Sequence, residues 1–379
     1  MIRHQPSRLA AALFCTVFLS GCASLAGDPE TPPAPEQQDA LAQFTPGSGA
    51  CHVRTAHDTA VVDTHLHFRS FGGAPIPFEE MVSDLKRSGV VFANMYGIGQ
   101  MLSVGSGCEY YLDCPGTPAL PSLKNDFANA QDLLDHPPKG IVLTLSMTFP
   151  DLAIPESIPA GIALLDREYP GMFRWMGEVN VIKQALIPNG HTPVPLETIA
   201  RWAPFMEILR QRNIPLALHL DLGDDAAPLK NLALMEEVLR LYPQNRIVWM
   251  HLGLSRQLTK TDPTEHAALM ARMLEDHPKL SMDLSWRVLQ DAYFSRPEVR
   301  VHYVALINRY PTRFLPGTDF LARHIRTFED YRTELDATSD ILRDVDDTAF
   351  RDIALGQNYF ELLNLPYVAP AICRKAGAS

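Results

Sequence analysis

The sequence predicts an α/β protein built as a single (β/α)8 TIM barrel, and two observations carry that reading. From residue 59 onward, short apolar runs alternate eight times with amphipathic segments. Six residues of metal-ligating type, His65, His67, Glu178, His219, His251 and Asp319, fall at the C-terminal ends of those runs. Strands separated by helices imply a parallel sheet. Eight such units imply a closed barrel, in which the strand ends converge on one mouth. The competing architecture is an open doubly wound sheet, which carries a glycine-rich phosphate turn after its first strand. None follows Val62, and Gly97-Ile98-Gly99 reads as a turn.

The elements follow in order. The runs read as strands are 60–65, 90–95, 140–146, 173–179, 214–219, 246–251, 280–284 and 314–319. The segments between them, 78–88, 125–135, 158–169, 196–212, 229–242, 263–276 and 299–310, carry helical periodicity. Residues 327–365 supply the eighth helix and a further helical excursion. The loops at 97–124 and 182–195 are long and follow strands 2 and 4, so both overhang the mouth.

Residues 1–22 have the three parts of an export signal: a basic start at Arg3 and Arg8, an apolar run from Leu9 to Leu19, and small residues before Cys22. The run is too short to span a bilayer. Leu19-Ser20-Gly21-Cys22 resembles the lipobox of bacterial lipoproteins. That resemblance implies lipidation of Cys22, a membrane anchor and, with Ala23 following, an outer-membrane protein facing the periplasm. Residues 23–50 are rich in proline and polar residues and read as a flexible tether. The barrel domain is then 51–373.

Four cysteines fall in that domain: Cys51, Cys108, Cys114 and Cys373. An exported protein sits where disulfides persist. Four cysteines allow three pairings. Cys108 and Cys114 share one loop and Cys51 and Cys373 lie at the two ends of the domain, which favours those two bonds over free buried thiols. With 33 basic and 44 acidic residues, a formal charge of −11 and no Lys/Arg run, the chain has the wrong sign for nucleic acid.

His65 and His67 are two apart in an extended segment, so they point to the same side. Five strands together deliver metal-type ligands to one end. A single histidine at a strand end is ordinarily a hydrogen-bonded core residue, so the set carries the argument. The other histidines lie in loops or helices, and His324, five residues past strand 8, is assigned to the surface.

The segments Val62-Asp63-Thr64-His65-Leu66-His67, Gly177-Glu178, Leu218-His219, Met250-His251-Leu252-Gly253 and Gly317-Thr318-Asp319-Phe320 resemble the amidohydrolase superfamily, specifically its amidohydrolase-related (amidohydrolase 2) group. Residues 355–363 resemble the group's C-terminal helix. The resemblance implies that His65, His67 and Asp319 bind a first divalent metal and that Asp319 takes a proton from the attacking water. His219 becomes a further ligand, and His251 either binds a second metal or polarises the substrate carbonyl. Glu178 matches a carboxylate that bridges two metals in some branches and favours two ions here. Lys183, five residues on, is not expected to take that place. His and carboxylate donors suit zinc, with manganese or iron as alternatives.

The implied function is hydrolysis of an ester, lactone or amide carbonyl of a small molecule. The competing readings are a mononuclear decarboxylase of an unsaturated or aromatic acid, and a non-catalytic surface lipoprotein. Trp286 and Arg287 follow strand 7 as candidate substrate contacts. Arg287 would hold a carboxylate, and a surface salt bridge is its competing role.

Overall fold

All six residues of Val62–His67 are buried. A strand tolerates that only when both its faces are covered, as in a parallel sheet wrapped by helices. The computed structural model describes residues 40–374 and has this arrangement. The proposed lipidation site Cys22, the export signal 1–22 and residues 23–39 of the expected tether lie outside the described residues.

The strands are β1 (Val62–His67), β2 (Phe92–Tyr96), β3 (Val142–Met147), β4 (Phe173–Ile182), β5 (Leu216–Leu220), β6 (Ile247–Trp249) and β7 (Leu280–Asp283). An eighth strand, β8, is split into Phe314–Leu315 and Phe320–Leu321. All pairings in this sheet are parallel. The barrel closes through the split. The first piece of β8 pairs with β7, Met282 opposite Phe314. The second pairs with β1, Phe320 opposite Leu66. Between them Thr64 N–H donates to Pro316 O at 3.0 Å. The (β/α)8 fold read from the sequence is therefore the fold of the chain.

The helices are α1 (Phe78–Arg87), α2 (Lys124–Asp135), α3 (Ile158–Glu168), α4 (Ala203–Arg212), α5 (Leu232–Leu241), α6 (Pro263–Asp276), α7 (Pro297–Arg309) and α8 (Phe328–Ser339), one after each strand. Their ends follow from local chemistry. In α1, Glu79 and Glu80 occupy the first turn and Lys86 and Arg87 the last, matching the helix dipole. Asp262 caps α6, accepting from Thr264 N–H and Glu265 N–H at 2.7 and 3.1 Å. Thr327 and Asp330 form a capping box at the start of α8. One apolar core runs through the barrel and the strand–helix layer, with Trp175, Trp202 and Trp249 fully buried. Among the described residues no helix is long and apolar enough to cross a membrane.

Three features depart from or refine the sequence reading. Phe44, expected within the tether, is buried against Phe92 and Phe360, so the packed unit begins before residue 50. An aromatic ring with two ring neighbours gains more from burial than a tether gains from freedom. The long loop after β2 folds into an antiparallel hairpin of Gln100–Leu102 with Ala119–Pro121. The Cys108–Cys114 disulfide lies at its tip, and Cys51 is bonded to Cys373 across a separation of 322 residues, beside a parallel pairing of Cys51–His52 with Ala371–Ile372.

Candidate metal centre

The ends of β1, β4, β5, β6, β7 and β8 bring nine ionisable side chains to one place. His65 and His67, on one side of β1, have their Nε2 atoms 3.2 Å apart. Asp319 Oδ1 lies 3.3 Å from His65 Nε2 and 3.1 Å from His67 Nε2. Glu178 Oε2 is 3.6 Å from His67 Nε2, and Glu178 Oε1 is 3.6 Å from His251 Nε2. His219 Nδ1 touches Glu178 Oε1, and its Nε2 is 2.9 Å from Asp221 Oδ1. All six ligand candidates read from the sequence are therefore neighbours.

Each imidazole is turned by a partner on its outer nitrogen. His67 Nδ1–H donates to Gly97 O at 2.7 Å, leaving Nε2 as the inward lone pair. Asp283 lies between two others, its oxygens 3.3 Å from His65 Nδ1 and 3.3 Å from His251 Nδ1. Ser285 Oγ donates to Asp283 Oδ1 at 2.7 Å and sits 2.9 and 3.1 Å from the same two Nδ1 atoms. His251 Nε2 is buried and makes no hydrogen bond. An orphaned imidazole nitrogen is costly away from water unless a cation takes its lone pair.

The backbone is held in unusual conformations at these ends. Asp319 (φ +56°), His251 (φ +54°) and Leu252 (φ +56°) are left-handed, and Trp286 has φ +82°. Such conformations cost free energy and persist where surroundings impose them. Gly317 allows the close approach of β8 to β1, since a Cβ there would lie 2.8 Å from His65 Cβ and 3.0 Å from His65 N.

Electrostatics agree with a cation site. Burial opposes ionisation of Glu178, but Lys183 and His219 hold its carboxyl well below the ordinary range. Burial likewise opposes ionisation of Asp319, which His65 and the neighbouring imidazoles hold down at about 2. His251 would be pushed down by burial, but Asp283 and Glu178 raise it to about 10. This crowd of buried carboxylates attracts positive charge, whether protons on imidazole or a metal that displaces them. Three overlapping triads have ligand atoms within 4.8 Å of one another: His65, His251 and Asp319; His65, His67 and Glu178; Glu178, His219 and His251. The donor set fits a divalent ion.

A cavity of about 200 Å³ opens beside the cluster and reaches His67 and Asp319. Trp286 lines it, with its ring centroid 4.9 Å from that of His251. Arg287 lines it too, and its Nε–H donates to Asp291 at 2.8 Å, the surface salt bridge foreseen as its competing role. Tyr110 and Tyr111, from the disulfide-closed tip of the hairpin, form part of the opposite wall.

Lys183 adds a residue to the sequence reading. It does not replace Glu178, yet it belongs to the cluster, with Nζ 3.2 Å from both carboxylate oxygens. β4 runs to Ile182, beyond the expected end at Val179, and so delivers Lys183 to the mouth. Asp283, Ser285 and His191 were not singled out. Asp283 sits at the end of β7 and carried the same signal as the ligands. His191 lies in a loop, and nothing in its spacing marks it.

Residues 179–356 match the family described as amidohydrolase. The chain is similar in structure to an amidohydrolase from Burkholderia multivorans with bound zinc, at 12% identity and a TM-score of 0.52, over 82% of this chain and 100% of that one. It is also similar to dihydroorotase from Campylobacter jejuni (13% identity, TM-score 0.49, 83% and 87% of the two chains). A third similarity is to dihydroorotase from Saccharomyces cerevisiae in complex with 5-fluoroorotic acid (13%, 0.48, 80% and 84%). The first of these likenesses supports the barrel fold. No curated protein matches the chain in sequence.

Proposed function

We propose that the protein is an amidohydrolase-type metal-dependent hydrolase that cleaves an ester, lactone or amide bond in a small carboxylate-bearing molecule. The observation that carries this reading is the convergence of His65, His67, His251 and Asp319, of which His67 and Asp319 reach an open cavity. A bound divalent ion, with zinc the first candidate for this donor set, would supply Lewis acidity and water ionised near neutral pH.

The chain's own residues do the rest. Asp319 has a carboxylate in contact with the cavity and is held ionised, so it is the group to accept a proton from the attacking water. His251 Nε2 makes no hydrogen bond and is the candidate to hold the substrate carbonyl oxygen or to complete the ligand set. Arg256, Arg287, Arg323 and Arg326 line the cavity in a chain whose formal charge is −11. Concentrating arginines at one mouth favours a substrate with carboxylate groups. Trp286 and Phe71 give that mouth flat apolar walls.

Elemental analysis of the purified protein, joined to a hydrolysis screen of carboxylated lactones, esters and amides, tests the proposal. Bound divalent metal and turnover that a chelator abolishes are expected. Protein that binds no divalent metal after zinc loading would overturn it. The N-terminal part of the proposal, a lipid anchor at Cys22 ahead of a periplasm-facing barrel, is tested by the mass of the mature N-terminal peptide. An unmodified Cys22 would remove it.

A further inference from the structure

Lys183 is built into the wall of the cluster. Its side chain is 9% exposed and that of Glu178 5%. Its backbone N–H donates to His191 Nε2 at 3.1 Å. The next residue, Gln184, donates its N–H to Asp221 Oδ2 at 2.7 Å, and Asp221 in turn touches His219. The chain just beyond β4 is thus tied at two successive residues, and the lysine stem leads back to Glu178.

The placement of the ammonium matters for how many ions the cluster can hold. A carboxylate that bridges two metals offers one oxygen to each. Lys183 Nζ is 3.2 Å from Glu178 Oε1 and 3.2 Å from Oε2, so it faces both oxygens equally. A second divalent ion held by Glu178, His219 and His251 would share that carboxylate with a fixed positive charge among largely buried side chains. Repulsion between cations so placed is weakly screened. On the opposite side of the cluster, formed by His65, His67 and Asp319, the nearest groups are imidazole nitrogens and a carboxylate, and Lys183 acts on Asp319 only at longer range while it hydrogen-bonds to Glu178.

We propose that Lys183 is the resident cation of the second metal position, so that the centre takes one divalent ion on the His65, His67 and Asp319 side. Glu178 then serves to hold Lys183 and His219 in place. This inference rests on the metal-centre reading above and revises the expectation of two ions drawn from Glu178 alone.

The test is metal stoichiometry of the full chain after zinc loading and desalting, read by elemental analysis. One zinc per chain is expected for the wild type and for Lys183→Arg, which keeps the charge. Lys183→Met, which keeps the length and removes the charge, should rise towards two. Lys183→Gln provides a second neutral variant should methionine fail to fold. Two ions in the wild type, or one ion retained in both neutral variants, would overturn the role of Lys183 and leave the metal centre standing. No ion in the wild type would overturn both.

Discussion

Asp63 and Thr318 are joined twice: the Asp63 carboxylate accepts from the Thr318 backbone N–H at 3.0 Å and from its hydroxyl at 2.8 Å. The same carboxylate accepts from Tyr331 OH at 3.0 Å and from His65 N–H at 3.2 Å. One residue further, Asp319 N–H donates to His65 O at 2.8 Å. A single buried aspartate therefore fixes the distance between the first histidine and the carboxylate opposite it. Asp63→Ala is expected to weaken zinc binding roughly 10–100-fold, the usual cost of losing a group that orients ligands. Competition with a chromophoric chelator measures this, and unchanged affinity would show that the ligands keep their geometry without the clamp.

Asp319→Asn should lose nearly all turnover while the barrel remains folded, because the amide cannot take a proton from water. His65→Ala combined with His67→Ala should instead empty the metal site. Circular dichroism and elemental analysis separate the two outcomes. Substantial turnover in Asp319→Asn would assign the base to another group.

His266, which is not among the candidate ligands, gives the barrel a pH dependence of its own. Its Nε2 lies 3.1 Å from Leu252 O, directly behind the left-handed turn of His251, and Tyr303 OH donates to its Nδ1 at 3.0 Å. Burial pushes this imidazole down to about 4, against the weaker opposing effect of the Leu252 carbonyl. An unfolded histidine titrates near ~6.5. The folded state therefore binds fewer protons between those values. Stability is complete above the unfolded value and is lost as pH falls from there toward 4, by at most ~3 kcal/mol for this group. His191, also pushed down to about 4 by burial, adds a second loss in the same window. Denaturant midpoints at neutral and mildly acidic pH should differ in the wild type, and His266→Gln should reduce that difference. An equal acid sensitivity in the variant would refute the assignment.

Loss of the Cys51–Cys373 bond should destabilise the protein. In the chain-entropy view a loop of this length contributes roughly 6 kcal/mol. A double Cys51→Ser, Cys373→Ser variant should unfold at lower denaturant concentration than the wild type. A matched pair of unfolding curves would show that the short Cys51–Ala371 pairing suffices to hold the ends.

The barrel was legible because each strand is a continuous apolar run, and the ligands were legible because they interrupt those runs at one end. The eighth strand was legible only as a whole. Its break at Pro316–Asp319 arises from contacts with β1 that are far away in sequence, including the Asp63 clamp. Lys183 stays out of the place of Glu178, as its spacing implies, but its position beside that carboxylate was hidden because the strand runs three residues beyond its expected end. Phe44 was hidden among proline and polar neighbours, since composition averaged over a segment conceals one anchoring ring. Asp283 was within reach of the same rule that found Asp319, and it shows that residues which aim ligands occupy the same positions as the ligands themselves.

Between Cys51 and Cys373 the backbone and one sulfur–sulfur bond make a closed covalent ring, and every strand of the barrel and every candidate ligand lies inside it. A protease that cuts one exposed loop of such a ring opens it without releasing a piece. The two new ends remain parts of one molecule, held by the disulfide as well as by packing. The protein should therefore tolerate nicking at its rim while keeping its centre assembled, and the same ring offers a route to circular permutants that begin at a loop and carry their original ends already joined.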